Sequence, residues 1–232
     1  MTKRLYYRAN DKMGDMICDN YTLLQVMSRF GLSLGFGDHT VKEVCDRNNV
    51  DCDTFLSVVN FVIGDNEYKV NSNQKISIHT LMNYLKEAHN YFIGYQLPLI
   101  KEKLMVFLKD SDVKVSYIII KFFDAYFNEV REHMDYEDKH VFKYAEQLLA
   151  GEVDKNFNFS EFARMHDQVD SKLAELRDII IKYLPVTGDK YYTNSLLFEI
   201  FACIEDLDSH GRVEDCMFVP AVLNLVREME GK

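Results

Sequence analysis

The sequence predicts an all-α protein, with a small helical N-terminal domain followed by a four-helix bundle. Only 10 glycines and 3 prolines occur among the 232 residues, so few residues interrupt helices. Long stretches repeat apolar residues every three or four positions, as the buried face of a helix requires. Hydrophobic residues make up 47% and charged residues 28% of the chain, which excludes a disordered protein.

Three short helices are predicted in the N-terminal domain, residues 1–65. Asp19 or Asn20 is predicted to cap the segment YTLLQVMSRF. Thr40 begins a stretch with capping-box spacing ahead of VCDRNN. Asp53 is predicted to cap TFLSVVNFVI, which ends at a glycine.

A polar linker over residues 66–76 leads into the bundle domain, residues 77–232. Four long amphipathic patterns with short connections predict the bundle. They cover residues 77–108, 112–149, 160–184 and 194–229. Pro98 and Pro220 fall inside the first and last patterns, where we expect each to kink its helix and free a carbonyl.

Charge and cysteine usage restrict the setting and the partners. The net charge of −10 and the pI near 5.2 argue against a nucleic-acid or anionic-membrane partner, because both require a basic surface. The five cysteines are odd in number and form no CxxC motif, which favours reduced thiols. With no signal-peptide pattern, we expect a cytoplasmic protein. The oligomeric state stays open, and a homodimer is compatible with the sequence.

Six titratable residues interrupt the apolar faces of the four long helices. Burying them without partners would cost several kcal/mol, at ~1–3 kcal/mol for each unpaired polar group. A metal ion removes this cost by accepting electron pairs from imidazole and carboxylate groups together. The candidate metal ligands are His89, His133, Glu137, His166, His210 and Glu214.

The spacing of these residues shows a duplication. His133 and Glu137 lie four positions apart, hence one turn apart on one helix face, and His210 and Glu214 repeat the spacing. In each half a single histidine precedes the pair by 44 residues. A pseudo-twofold bundle would bring both sets to one height, with each set serving one ion and the glutamates able to bridge them.

The donors indicate the kind of metal. If both glutamates bridge, an ion preferring six ligands keeps about two positions for an oxo or hydroxo bridge and an external ligand. Imidazole and carboxylate donors without thiolate favour two non-haem iron ions, with manganese next. Zinc would fit the donors but would leave the redox potential of the site unused.

The order of the six ligands resembles the hemerythrin-like HHE cation-binding domains. It is especially similar to the RIC proteins, the di-iron repair-of-iron-centres proteins of the bacterial cytoplasm. The matching segments are EAHNYF, REHMDYEDKHVFKY, RMHDQVD and DSHGRVEDCMFVP, and NYTLLQVMSRFGLSLGFGDHTVKEVC looks like the RIC N-terminal domain. The resemblance implies a hemerythrin-like bundle in which the six residues ligate two iron ions and Glu137 and Glu214 bridge them.

By this resemblance, the protein would protect against nitrosative and oxidative stress. It would repair damaged iron–sulfur clusters or supply iron to them, so its partners would be iron–sulfur proteins. An alternative is a di-iron sensor that binds O₂ or NO, or an NO-reducing hemerythrin-like protein. Whether the protein is an enzyme is left open.

Two positions depart from the family pattern. RIC N-terminal domains usually carry an adjacent cysteine pair after an FGI-like turn, where this chain has Gly35 and Phe36. Oxygen-carrying hemerythrins use a fifth histidine one turn after the third-helix ligand, where this chain has Asp170. Reversible O₂ carriage is therefore disfavoured.

Other interpretations of the polar residues stay open at this point. The six residues could be hydrogen-bonded polar groups in a purely structural bundle that holds no metal. Asp138 and Asp215, each one residue past a glutamate, could compete as carboxylate ligands although they turn about 100° off the face. His140 could face the core one turn beyond Glu137, in a structural role or as a neighbour of the ligands.

Overall fold

The computed structural model describes residues 6–64, 76–152, 171–184 and 189–230. These residues form helices joined by turns, and the only extended pairing among them is an isolated bridge between Lys12 and Thr40. The all-α prediction is therefore confirmed. Within the same ranges, no helix combines the length and the apolar content that a bilayer crossing would need.

The short helices lie in the N-terminal part of the chain. They are α1 (Met13–Asp19), α2 (Leu23–Arg29), α3 (Val41–Arg47) and α4 (Cys52–Ile63). The longer helices follow. They are α5 (Ile78–Tyr91), α6 (Leu97–Phe107), α7 (Val113–Tyr136), α8 (Phe142–Leu149), α9 (Ser171–Tyr183), α10 (Lys190–Val213) and α11 (Val219–Glu230). A π-helical segment joins α5 to α6, α7 to α8 and α10 to α11.

Helix starts in the N-terminal part were predicted with mixed success. The capping box is confirmed, because the Thr40 side chain accepts from the Glu43 backbone N–H while the Glu43 side chain accepts from that of Thr40. Helix α4 is capped by Asp51 and not by Asp53, which lies inside its first turn. Helix α2 follows Thr22, which makes no side-chain capping bond, so the predicted cap at Asp19 or Asn20 is wrong. Helix α1 was not predicted.

The long helical patterns agree closely with the structure. Residues 77–108 form α5 and α6, residues 112–149 form α7 and α8, and residues 194–229 form α10 and α11. The last pattern begins four residues early, at Lys190. Of the third pattern, residues 160–170 lie outside the described residues, and the remainder forms α9. The linker also lies outside them, except for residue 76.

The three π-helical segments are Phe92–Gln96, Glu137–Val141 and Glu214–Phe218. In each, the next backbone N–H bonds to the carbonyl five residues earlier, as from Leu97 to Phe92. Pro98 and Pro220 each lie second in the helix after such a segment. A proline in the first turn of a helical segment is tolerated because its missing N–H is not needed there. The expected disturbance at each proline thus takes the form of a π-helical turn.

The described residues fall into two compact units. The first covers Met1–Ala88, Ala145–Val153 and Arg212–Lys232. Its core includes Phe30, whose ring lies 5.2 Å from that of Phe55 and 4.9 Å from that of Tyr84. The Arg212 guanidinium lies 5.1 Å from the centre of the Phe61 ring. The predicted domain boundary at residue 65 stays a prediction.

The second unit covers His89–Tyr144 and Asp154–Gly211, and its described part contains four long helical segments. Ion pairs join neighbouring segments: Lys103 of α6 contacts Glu199 of α10 at 2.7 Å, and Lys172 of α9 pairs with Glu129 of α7. Apolar side chains fill the interior, as an amphipathic bundle requires. Among the buried residues of this unit are the polar side chains of His89, His133, Glu137 and His210.

Candidate metal centre

Five of the six predicted ligands lie within the described residues, and all five are buried. His89 lies near the end of α5, and His133 lies in the last turn of α7. Glu137 is the first residue of the π-helical segment that follows α7. His210 belongs to the last turn of α10, and Glu214 follows it one turn later in the same continuous helix. Both glutamates have exposed fractions of 0%.

The carboxylate of Glu137 lies between two histidines. Its Oε1 is 2.9 Å from His133 Nε2, and its Oε2 is 3.1 Å from His89 Nε2. His89 Nε2 also lies 3.2 Å from His210 Nε2. Each oxygen of one carboxylate therefore faces a different imidazole, which is the arrangement that a bridging carboxylate needs.

Four of these side chains form one compact group of donors. His89, Glu137, His210 and Glu214 each present a ligand atom, and these atoms lie within 4.8 Å of one another. Two fully buried carboxylates at such a distance repel each other in a medium of low dielectric constant, and a cation between them offsets that repulsion. Two imidazole nitrogens and two carboxylate oxygens are also donors that divalent first-row metals accept. The residues therefore fit a metal ion.

The grouping differs from the predicted one in one respect. The duplication predicted that His89 would serve the same ion as His133, within one half of the bundle. In the structure, His89 and His210 face each other from α5 and α10, so one group of donors takes histidines from both halves. His133 lies at the other oxygen of Glu137, where a second position would begin. Sequence spacing could not reveal which helices become neighbours.

The duplicated pattern also appears in the backbone. Glu137 and Glu214 each begin a π-helical segment, one turn after their histidine. A π-helical turn holds one more residue than an α-helical turn and is common at functional sites. Only the second of these two segments precedes a proline, so a proline alone does not account for the repeat.

Aromatic rings enclose the histidines. The Phe142 ring is stacked on the His89 imidazole, with centroids 5.4 Å apart and an interplanar angle of 20°. The Phe92 ring meets the His210 imidazole edge-on at 5.7 Å. Phe92 and Phe142 are themselves fully buried. The rings limit how far the two imidazoles can turn, and they keep water away from these faces.

Asp138 makes a contact that the sequence did not reveal. Its Oδ1 lies 3.0 Å from His89 Nδ1, on the side of the ring opposite the group of donors. It is not among the residues that form that group. The only sequence signal was its place directly after Glu137, which left competition for the metal open as an alternative.

The other candidates fall into three classes. His166 and Asp170 lie outside the described residues, so His166 stays a predicted ligand. Asp215 and His140 are exposed, and the His140 ring packs on Tyr136 with centroids 4.9 Å apart. Among the described residues, no cysteine belongs to the group of donors. Burial and the neighbouring Asp215 raise the pKa of the Cys216 thiol, which disfavours a thiolate near Glu214.

Comparison with known families agrees with the geometry. The family described as the hemerythrin HHE cation-binding domain matches residues 80–222, which is more than half of the chain. This range includes all six predicted ligands. Comparison with curated proteins gives no significant match. On its buried histidine and glutamate donors and on this match, the chain belongs to the hemerythrin HHE cation-binding family.

Proposed function

We propose that this protein holds two non-haem iron ions and uses them to protect the cell against nitrosative and oxidative stress. It would do so by repairing damaged iron–sulfur clusters or by supplying iron to them. The observation that carries the proposal is the buried group of His89, Glu137, His210 and Glu214, whose ligand atoms lie within 4.8 Å of one another. The group combines imidazole with carboxylate, as non-haem iron sites do.

The two ions would share the glutamates. His89 and His210 would bind one ion, because their Nε2 atoms approach each other to 3.2 Å. His133 would bind the other, because its Nε2 meets the second oxygen of Glu137 at 2.9 Å. By the duplicated spacing, His166 would complete that second position.

Bound iron would supply one-electron redox chemistry and an open coordination position for a small ligand such as NO or O₂. The chain itself supplies the positioning and the environment. Glu137 links His89 to His133, and the stacked ring of Phe142 holds the His89 imidazole in place. Because imidazole and carboxylate groups bind a metal only when they are deprotonated, the site would hold iron less tightly as the pH falls. This dependence supports a role in which iron is delivered.

Metal content tests the first half of the proposal. Protein purified with its native metal should contain about two iron ions per chain, as the imidazole and carboxylate donors predict. Its optical spectrum should show the near-ultraviolet charge-transfer bands of an oxo bridge. A well-folded chain without metal would overturn the proposal and favour a structural bundle.

A repair assay tests the second half. An iron–sulfur enzyme is inactivated by NO or peroxide and then incubated with the iron-loaded protein, and its recovered activity is measured. Recovery should exceed that given by the metal-free protein or by an equal amount of free ferrous iron. If the loaded protein instead consumes NO with a reductant and restores no activity, the NO-reducing alternative is correct. A spectral change with NO or O₂, without turnover or recovery, would identify a sensor.

A further inference from the structure

The His89 imidazole contacts two different surroundings through its two nitrogens. Nε2 faces the group of donors, 3.1 Å from Glu137 Oε2 and 3.2 Å from His210 Nε2. Nδ1 faces away from that group and meets Asp138 Oδ1 at 3.0 Å. The ring is buried, with 3% of its side chain exposed, whereas 40% of the Asp138 side chain is exposed. Asp138 therefore closes the outer edge of the site at its boundary with solvent.

The contact with Asp138 places a proton on the outer nitrogen of the ring. A carboxylate accepts a hydrogen bond, so Nδ1 of His89 carries the proton that Asp138 accepts. Nε2 faces the Glu137 carboxylate at 3.1 Å and can donate to it while the site holds no metal. A metal ion would instead take up the electron pair of Nε2, and the form protonated on Nδ1 alone is the one that offers this pair. Metal-binding histidines commonly have such a carboxylate partner, which fixes the tautomer and raises the basicity of the ligand.

We propose that Asp138 is a positioning residue, which holds His89 with Nε2 directed to the metal and thereby strengthens metal binding. The inference rests on the proposed metal-binding function of the same site. Helical geometry also explains why the residue stands next to a ligand in sequence. Asp138 is the second residue of the π-helical segment, so Glu137 faces the donors while Asp138 reaches the outer nitrogen of a histidine on α5.

The first test measures whether Nδ1 of His89 carries a proton in metal-free protein. Histidine ¹⁵N NMR of the unsubstituted chain should show a proton on His89 Nδ1, whether or not Nε2 also carries one. In Asp138→Ala the Nδ1 signal of His89 should shift towards that of an unprotonated nitrogen, while the other histidines keep their signals. Unchanged His89 signals would overturn the inference. This readout does not depend on metal binding or on any activity, and a purely structural role of Asp138 would not change it.

The second test measures the affinity for ferrous iron under anaerobic conditions, by competition with a chromophoric chelator. Asp138→Ala should bind about 10–100-fold more weakly than the unsubstituted chain. Asp138→Asn keeps an acceptor oxygen and should lose less. The matched control is Asp124→Asn, which removes the same charge from the same helix at a surface pair with Lys101. Its affinity should not change.

The outcomes separate this inference from the proposed function. If the unsubstituted chain binds no ferrous iron, the proposed function fails, and the NMR result still decides whether Asp138 holds the proton on Nδ1 of His89. If that chain binds iron and Asp138→Ala binds it equally well, only the positioning role fails. Equal weakening in Asp138→Ala and Asp124→Asn would assign the effect to net charge and would also overturn the positioning role.

Discussion

Removing the metal should lower the thermal stability of the bundle. Glu137 and Glu214 have exposed fractions of 0%, and the histidines around them are almost as deeply buried. A chelator would leave two carboxylates without the cation that offsets their mutual repulsion. We therefore expect the metal-free protein to unfold at a lower temperature than the loaded protein.

The structure also limits the size of this effect. A buried polar group that loses its partner costs about 1–3 kcal/mol. Here the histidines can take over part of the role of the metal, because Glu137 already contacts His133 at 2.9 Å and His89 at 3.1 Å. We therefore expect the loss of stability to lie at the low end of this range for each of the two carboxylates, about 2–3 kcal/mol in total. Metal present at a hundredfold excess over its dissociation constant gives a similar value, about 2.7 kcal/mol.

Differential scanning calorimetry under anaerobic conditions measures the shift. A loss of 2–3 kcal/mol corresponds to a decrease of roughly 4–12 °C in Tm for a chain of this size. Adding ferrous iron back to the stripped protein should restore the original value. The same measurement on His210→Ala should show a smaller difference between loaded and stripped protein, together with a lower metal content.

His39→Ala is the matched control. The His39 ring is partly exposed and lies 3.6 Å from Glu43, among the N-terminal helices. This variant should keep its metal content and the full shift in Tm. Two results would refute the reasoning: equal Tm values for loaded and stripped protein, or equal metal loss in His39→Ala and His210→Ala.

Three further predictions concern the first unit. Asn60→Ala should lower the free energy of unfolding by about 2–3 kcal/mol in urea titrations, because the side chain bonds both the N–H and the carbonyl of Tyr7 in a buried position. A change below about 0.5 kcal/mol, the usual effect of a surface substitution, would contradict this prediction. Asp51→Ala should cost about 1 kcal/mol by removing the cap of α4, whereas Asp53→Ala should cost less. Burial and the neighbouring Cys52 raise the pKa of the Cys45 thiol. Iodoacetamide at pH 7.5 should therefore label Cys45 far more slowly than the exposed Cys18, and the labelling of Cys45 should become faster as the pH rises. Mass spectrometry of the peptides measures the two labelling rates, and equal rates would refute the prediction.

Local signals in the sequence were sufficient for much of the fold. The capping box at Thr40 and Glu43 depends on residues three positions apart, so the sequence alone predicts it. The long amphipathic patterns likewise predicted α5 to α8 and α10 to α11, because burial selects one face of each helix. The cap of α4 was misplaced by two residues, since Asp51 and Asp53 are equally good capping residues and only the backbone conformation distinguishes them.

The candidate site was predictable to the extent that it repeats along the chain. Two His-x-x-x-Glu pairs, each preceded by a histidine at the same distance, identified residues that the structure buries. Periodicity alone assigned these residues to helix faces, because each pair is separated by one turn. The repeat did not predict the π-helical segments at Glu137 and Glu214, which change the register of the faces after them.

What the sequence determined by itself was where most of the long helices lie, which of their faces are buried and which residues are candidate donors, because these depend on residues a few positions apart. Tertiary structure alone decided which donors meet. The contact between His89 and His210 joins residues 121 positions apart, and that between His89 and Asp138 joins residues 49 positions apart. Such contacts depend on how helices pack and on where a π-helical turn shifts the register, and no local pattern records either. For the same reason the sequence left Asp138 open as a competing ligand, whereas in the folded chain its carboxylate meets Nδ1 of His89, outside the group of donors.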